Sequence, residues 1–370
     1  MLGKSQMSAL ILATQNEKGK AERAQGFCNE FCSESARQKF IFGRNVYAKS
    51  VASQVAISGF IDDYTDDEAF LGLPVVKTED VPKNALVLIA SGGRPLSAKR
   101  RLDGFGLECL DYFAFHKFSG LSLTPVVFNE GFEEDFKTNE AEYEWIYNLL
   151  YDEESRAIFR KLVSFRLKYD IDFLNGFTAR ENSQYFEDFL QLRPEGETFV
   201  DVGGYNGFNS LQFIRLCPEY NAVHVFEPEP DNYEACVRNL SPYANSHCHQ
   251  LGLSSKKGTL KLQPQGSGSR ISEHGSAVIH IDKLDSILPE GDTATLIKID
   301  IEGAEIPAIE GSSDIIRRHH PRLALCIYHN VGDFWRIPKK VLSIQDKYKI
   351  YLRHYTESIY ETVMFFIPER

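Results

Sequence analysis

Residues 198–230 read TFVDVGGYNGFNSLQFIRLCPEYNAVHVFEPEP, and the fold follows from this stretch. Thr198 to Val202 is a short apolar run that carries an acid, Asp201, and stops at a glycine turn, Gly203-Gly204-Tyr205-Asn206-Gly207. Phe208 to Leu216 then spaces Leu211, Ile214 and Leu216 as a helix does. Ala222 to Phe226 is a second apolar run, ending on Glu227 and Pro228. Strand, glycine turn, helix, strand and acid, in that order, predict a βαβ unit with a ligand at the carboxyl ends of its strands.

Glycines let the backbone turn tightly and approach a ligand, while an acid after the second strand can accept both hydroxyls of a ribose. The pattern suits an adenosine-containing cofactor. Glu227 follows Gly207 by about 20 residues, a spacing that dinucleotide enzymes share, so an NAD-dependent oxidoreductase stands as an alternative. Asp201 favours a different answer. A pyrophosphate would rest on the helix N-terminus, where a carboxylate two residues before the first glycine repels it. S-adenosylmethionine has no phosphate and bears a cationic sulfonium and ammonium, which acids attract. The expected cofactor is therefore S-adenosyl-L-methionine, with Asp201, Gly203, Gly204, Tyr205, Asn206, Gly207, Glu227 and Pro228 as its binding residues.

The chain has 370 residues, enough for two domains with a sizeable core in each. Its formal net charge of −11 argues against an electrostatic grip on nucleic acid or anionic membrane, although a local basic patch stays open. No apolar run reaches the ~20 residues of a membrane span. The opening MLGKSQMSALILAT has too short an apolar core for a signal peptide, so no membrane insertion and a cytoplasmic location are expected. The seven cysteines lack paired C-x-x-C spacing, as reduced residues of such a compartment would. Cys28 and Cys32 could share a helical face, but two ligands do not make a metal site.

Along the chain, residues 1–38 read as a helical segment without chemistry. Residues 39–120 alternate short apolar strands with helical pieces, which predicts a smaller Rossmann-like α/β domain. Its first loop, Gly43-Arg44-Asn45-Val46-Tyr47-Ala48, resembles a nucleotide-binding turn with Asn45 and Ala48 in place of the second and third glycines. Asp62 and Asp63 close the next strand. A second nucleotide site and a worn module used for assembly or acceptor recognition are the two readings. Residues 121–192 read as a helical bridge with an aromatic core face.

Beyond Pro230, residues 193–370 continue as a doubly wound sheet. A helix follows from Pro230, a strand over 246–253, an irregular section over 258–288 whose Gly266-Ser267-Gly268-Ser269 cluster marks a mobile turn beside Arg270, and a strand over 295–301. A helix over 304–320, a strand over 322–328 and a helix over 333–347 come next. The last two strand-like runs are joined by too few residues for a parallel crossover and should pair antiparallel. A parallel sheet finished by an antiparallel hairpin is the class I methyltransferase arrangement, Rossmann-like with seven strands.

FVDVGGYNG, VFEPEPDNYEACVRNL, LGLSS, LIKIDIEGAE, CIYHNVGDFW and the YLRHY hairpin fall in order over about half the chain. With them the sequence resembles the FkbM family of S-adenosylmethionine-dependent methyltransferases. Tyr205 stands where that family's loop commonly has asparagine. The resemblance implies transfer of a methyl group to a hydroxyl of a sugar, glycan or related polyol acceptor. A non-catalytic nucleotide- or glycan-binding scaffold is the alternative of another class, and a homo-oligomer is compatible with either.

Methyl transfer is an in-line displacement, so the protein mainly aligns the reactants and excludes water. A hydroxyl acceptor also needs a base or a metal. Asp300 closes the fourth strand of the sheet beside the glycine loop and is expected to serve both catalysis and cofactor binding. Glu302 shares a strand face with it by period two, and Glu305 begins the next helix, where it could simply complement the helix dipole. His329, after the fifth strand, lies on the same sheet edge and is the expected general base. His354, on a terminal strand, is the second choice. Asp300, Glu302 and His329 could instead gather Mg²⁺.

Overall fold

The computed structural model describes residues 10–12, 16–263, 270–271, 275 and 277–369. The chain divides into two compact units. One comprises Met1–Glu134, Ala157–Glu181 and Tyr355–Tyr360; the other comprises Asp135–Arg156, Asn182–His354 and Glu361–Arg370. The segment 121–192, expected as a helical bridge, is thus shared between the units.

In the first unit, helix α1 (Glu17–Cys32) buries Ala24, Phe27, Cys28 and Phe31. Phe31 meets Phe115 edge-on, with ring centroids 5.4 Å apart. Burial pushes the Cys28 thiol up to about 12, which keeps it neutral and a poor metal ligand. The elements that follow are β1 (Lys39–Phe42), α2 (Val46–Ala52), β2 (Gly59–Ile61), β3 (Ala69–Phe70), β4 (Leu73–Val76), β5 (Leu86–Ile89), α3 (Pro95–Gly104), β6 (Glu108–Asp111) and α4 (Tyr112–Phe118). The sheet runs β3-β4-β2-β1-β5-β6 and is parallel except for β3 against β4. Strand β5 is buried along its whole length, as an apolar strand covered on both faces must be.

The altered loop of this unit is closed from within. The Asn45 side chain accepts from the N–H groups of Tyr47 and Ala48 and donates to Ala90 O. It occupies the donors at the start of α2 that a phosphate would use. Asp62 pairs with Arg44, and Asp63 with Arg101 and Thr78.

Helices α5 (Phe132–Thr138), α6 (Glu140–Leu149) and α7 (Glu153–Lys168) come next in the chain. In the second unit β7 (Thr198–Val202), α8 (Phe208–Leu216), β8 (Ala222–Phe226) and α9 (Pro230–Leu240) form the expected βαβ unit and its following helix. Strands β9 (Ser246–His249) and β10 (Gly252–Leu253) divide the single strand expected there. The stretch expected to be irregular instead holds β11 (Gly258–Gln263), β12 (Arg270–Ile271), β13 (Ala277–Asp282) and α10 (Leu284–Ile287). These strands and β10 form a second sheet, ordered β10-β13-β11-β12. Leu260, Ile279 and Ile281 pack together on it. The cluster Gly266-Ser267-Gly268-Ser269 lies outside the described residues, as does the side chain of Arg270.

Strand β14 (Leu296–Ile299) is shorter than its apolar pattern. The helix expected over 304–320 is two, α11 (Glu305–Glu310) and α12 (Ser313–His319). Gly311, which caps the first of them, is closely approached from elsewhere in the fold: a Cβ there would lie 2.0 Å from Ser254 O. Strand β15 (Arg322–Cys326), helix α13 (Asp333–Ile344) and strands β16 (Tyr348–His354) and β17 (Thr362–Pro368) complete the unit. The main sheet runs β16-β17-β15-β14-β7-β8-β9. It is parallel except for β17, which runs antiparallel to both neighbours. This is the class I methyltransferase arrangement. From β7 the chain winds one way through β8 and β9, then returns to β14 on the other side, so β7 and β14 flank the switch point where such sheets bind ligands.

Candidate active site

The glycine turn is held against β14 by backbone contact. Gly203 has φ +82°, and a Cβ there would lie 1.9 Å from Asp300 O; only glycine combines that torsion with that approach. A Cβ on Gly204 would lie 2.1 Å from the Val225 side chain. Tyr205, also at positive φ, leaves its side chain 45% exposed. Asn206 Oδ1 accepts from Phe208 N, and Gly207 caps α8 in the left-handed region.

Glu227 follows β8 and is buried. Its Oε2 accepts from Tyr205 N at 2.8 Å and its Oε1 from Glu229 N at 3.0 Å. Burial pushes its pKa above the ordinary carboxylate value despite those two bonds. A carboxylate offers about four lone-pair positions, so each oxygen retains capacity for a ligand hydroxyl. Pro228 leads into α9, whose N-cap is Glu229.

Asp201 lies beneath the turn. Its carboxylate accepts from Ser210 Oγ at 2.7 Å and sits 3.1 Å from Lys298 Nζ, both charged side chains being almost wholly buried. Lys298 was not singled out from the sequence, although a lysine within LIKIDI breaks an otherwise apolar strand. Its Nζ donates to Gly203 O at 2.6 Å and Val202 O at 3.3 Å. Burial opposes its charge, yet Asp201 and Asp300 hold its pKa above the ordinary lysine value.

Asp300 lies just past β14 rather than within it. Its Oδ2 accepts from Tyr185 Oη at 2.7 Å, and its Oδ1 lies 3.5 Å from His329 Nε2. Burial works against this carboxylate, but Lys298, His329 and the Tyr185 hydroxyl hold its pKa below the usual range. Glu302 and Gly303 take positive φ, so a turn and not a strand face brings Glu302 Oε2 to 3.9 Å from His329 Nε2. Glu305 starts α11 but does more than meet a helix dipole. Its Oε1 accepts from Ile301 N, Gly303 N and His329 Nδ1, the last at 2.8 Å.

His329 thus meets three carboxylates. Burial alone would depress its pKa; Glu305, Asp300 and Glu302 together raise it to about 9. The ring is an imidazolium at neutral pH. Its side chain has 0% exposure, against 24% for Asp300 and 18% for Glu302, so the carboxylates face the opening and the imidazole stands behind them. Asp333, which accepts from Asn330 N, is pushed up to about 7 by burial and by Glu305. Tyr185, Gln184 and Glu361 were also missed. Gln184 Nε2 and Tyr328 Oη donate to Glu361, whose pKa burial and Asp300 raise. His354 instead bonds Thr362 Oγ1 inside the terminal hairpin. Among the described residues no group of three or more His, Cys, Asp or Glu is arranged to hold a metal ion.

Residues 201–349 match the family model of the methyltransferase FkbM domain. No curated protein matches the chain. Among solved structures, the methyltransferase FkbM from Methylobacillus flagellatus KT superposes with a TM-score of 0.71 at 20% identity, over 95% of this chain and 99% of that one. An rRNA methylase from Streptococcus thermophilus reaches a TM-score of 0.34 at 16% identity, over 50% of this chain and 93% of that one. The dinucleotide alternative gives way to this match: residues 201–349 are similar to a methyltransferase domain of the FkbM type.

Proposed function

We propose that the chain is an O-methyltransferase acting on a hydroxyl of a sugar, glycan or related polyol. The observation that carries this reading is the contact between Gly203 and Asp300. It sets the cofactor turn directly against the residue whose carboxylate leads to Glu302 and His329. The site's own residues suit S-adenosylmethionine. Glu227 has acceptor capacity for two ribose hydroxyls, the turn approaches closely because it is glycine, and Asp300 and Glu302 offer negative charge where a cation is needed. When bound, this cofactor supplies an electrophilic methyl group.

Asp201 acts in this reading through Lys298. The pair fastens Gly203 O and so positions the turn, while the Asp201 carboxylate itself stays buried. On the acceptor side, Asp300 and Glu302 accept hydrogen bonds from the sugar hydroxyls, and His329 is the base that takes up the proton relayed by either carboxylate. With a pKa of about 9, only about 1% of the imidazole is neutral at pH 7. A positive charge placed beside Asp300 and Glu302 competes with the imidazolium for the same carboxylates and draws that pKa down. The site thus deprotonates most readily when it is loaded.

The test is transfer of labelled methyl from S-adenosylmethionine to a panel of sugars, glycans and polyols, with mass spectrometry of cell glycans with and without the protein. Labelled glycan or sugar supports the reading. Label confined to amine or nucleic-acid acceptors refutes it, and cofactor binding with no transfer to any acceptor favours the scaffold.

A further inference from the structure

The first unit contains a cavity of about 800 Å³ that the methyltransferase site does not use. Its size falls within the range of small-molecule sites. The walls come from α1, α3, β6, α4 and the chain after α7, and include Ala21, Ala24, Phe27, Leu110 and Phe118 as an apolar floor. Around that floor stand Lys18, Lys20, Arg23, Lys99, Lys117 and Lys168, against Glu17, Glu108, Asp111, Asp170 and Asp172. Six cations to five acids is a local excess in a chain whose formal net charge is −11.

The pairing is more informative than the count. Every acid of the wall is already engaged: Asp170 and Asp172 with Lys20, Glu17 with Lys168, Glu108 with Arg37, and Asp111 with Ala114 N. Two cations are left over. Arg23 and Lys117 form no ion pair among the described residues, and Lys117 Nζ donates only to the carbonyls of Leu167 and Lys168. Burial holds the Lys117 pKa below the ordinary lysine value and repulsion from Lys168 adds to this, while Glu133, Asp170 and Glu17 act against it. An ammonium with no carboxylate in ion-pair contact, beside an apolar floor, gains from an anion placed next to it.

We propose that this cavity is a second ligand site, which takes a small organic anion with a ring or apolar body on the floor and a phosphate or carboxylate at Lys117 and Arg23. No residue of the closed Asn45 loop lines it, and it does not depend on the methyl-transfer reading. Calorimetric titration of the full chain with 1-naphthyl phosphate and with 1-naphthoate separates the two anion types, and 1-naphthol is the neutral control. One of the anions is expected to bind saturably at one site, and Arg23→Gln to weaken it by about tenfold or more. Lys117→Met should do the same, and Ala21→Phe, which fills the cavity, should abolish binding. Arg23 makes no structural ion pair, so its variant decides the matter even if Lys117→Met destabilises α7. Failure of both anions to saturate, equal binding of 1-naphthol, or unchanged affinity in Arg23→Gln overturns the proposal.

Discussion

Replacing Lys298 by methionine keeps an unbranched stem of similar length but removes the charge beneath the glycine turn. Asp201 then keeps Ser210 Oγ as its hydrogen-bond donor with no cation beside it, and Gly203 O loses its 2.6 Å bond. Breaking a buried pair by removing one partner costs about 3–5 kcal/mol. At about 2–4 °C per kcal/mol for a domain of this size, the unfolding midpoint should fall by about 6–20 °C. The same change should weaken S-adenosylmethionine binding, because Gly203 O loses its side-chain tie to β14. Circular-dichroism melting gives the first quantity and calorimetry the second. The Asp201→Asn, Lys298→Met double variant removes both charges and should recover at least about 1 kcal/mol relative to Lys298→Met alone. A single variant that melts within about 2 °C of the parent, or a double variant no better than the single one, refutes the claim that Lys298 and Asp201 act as a buried pair.

Glu227→Gln keeps one acceptor for the backbone N–H groups but removes the charge, and calorimetry should show S-adenosylmethionine affinity reduced by about 10- to 100-fold; unchanged affinity would remove Glu227 from the ribose role. Gly203→Ala should abolish cofactor binding, since its Cβ meets Asp300 O and its φ is +82°. His329→Gln should lower single-turnover transfer by about 10²- to 10⁴-fold without weakening S-adenosylmethionine binding, since the competing imidazolium is gone; equal losses in both would mark a purely structural histidine.

The glycine turn and its flanking elements were legible because their signals are local: β7, α8 and β8 begin and end where the residue pattern places them. The acids and His329 were found by their position at strand ends. Period two was the wrong reason for Glu302, which arrives through a left-handed turn. Lys298, Tyr185 and Glu361 escaped because each derives its meaning from a partner distant in the chain: Asp201 across the sheet, Asp300, and Gln184. The second sheet was hidden differently. GTLKLQ and AVIHID do alternate, but the glycine and serine between them suggested a loop, and β10, which pairs with AVIHID, adds only two residues. The close approach of Ser254 O to Gly311 is likewise something no local pattern reveals.

The pKa of His329 gives the most direct view of how the site works. Raised to about 9 from 6.5, it contributes stability that is fully present below about pH 6.5 and is lost as the pH rises through about 9, when the imidazolium among Asp300, Glu302 and Glu305 gives up its proton. The same proton governs catalysis with the opposite sign, because a base must be neutral to act. At saturating cofactor and low acceptor the rate should rise with pH through an apparent pKa below about 9, lowered by the positive charge beside Asp300 and Glu302. The ligand-free protein followed by NMR should show the imidazole titrating near 9. Adding the neutral demethylated cofactor should leave that titration closer to the free value than adding S-adenosylmethionine does. Should both ligands shift it equally, the cationic centre does not lie beside these carboxylates, and the relay from Asp300 and Glu302 to His329 loses its physical basis.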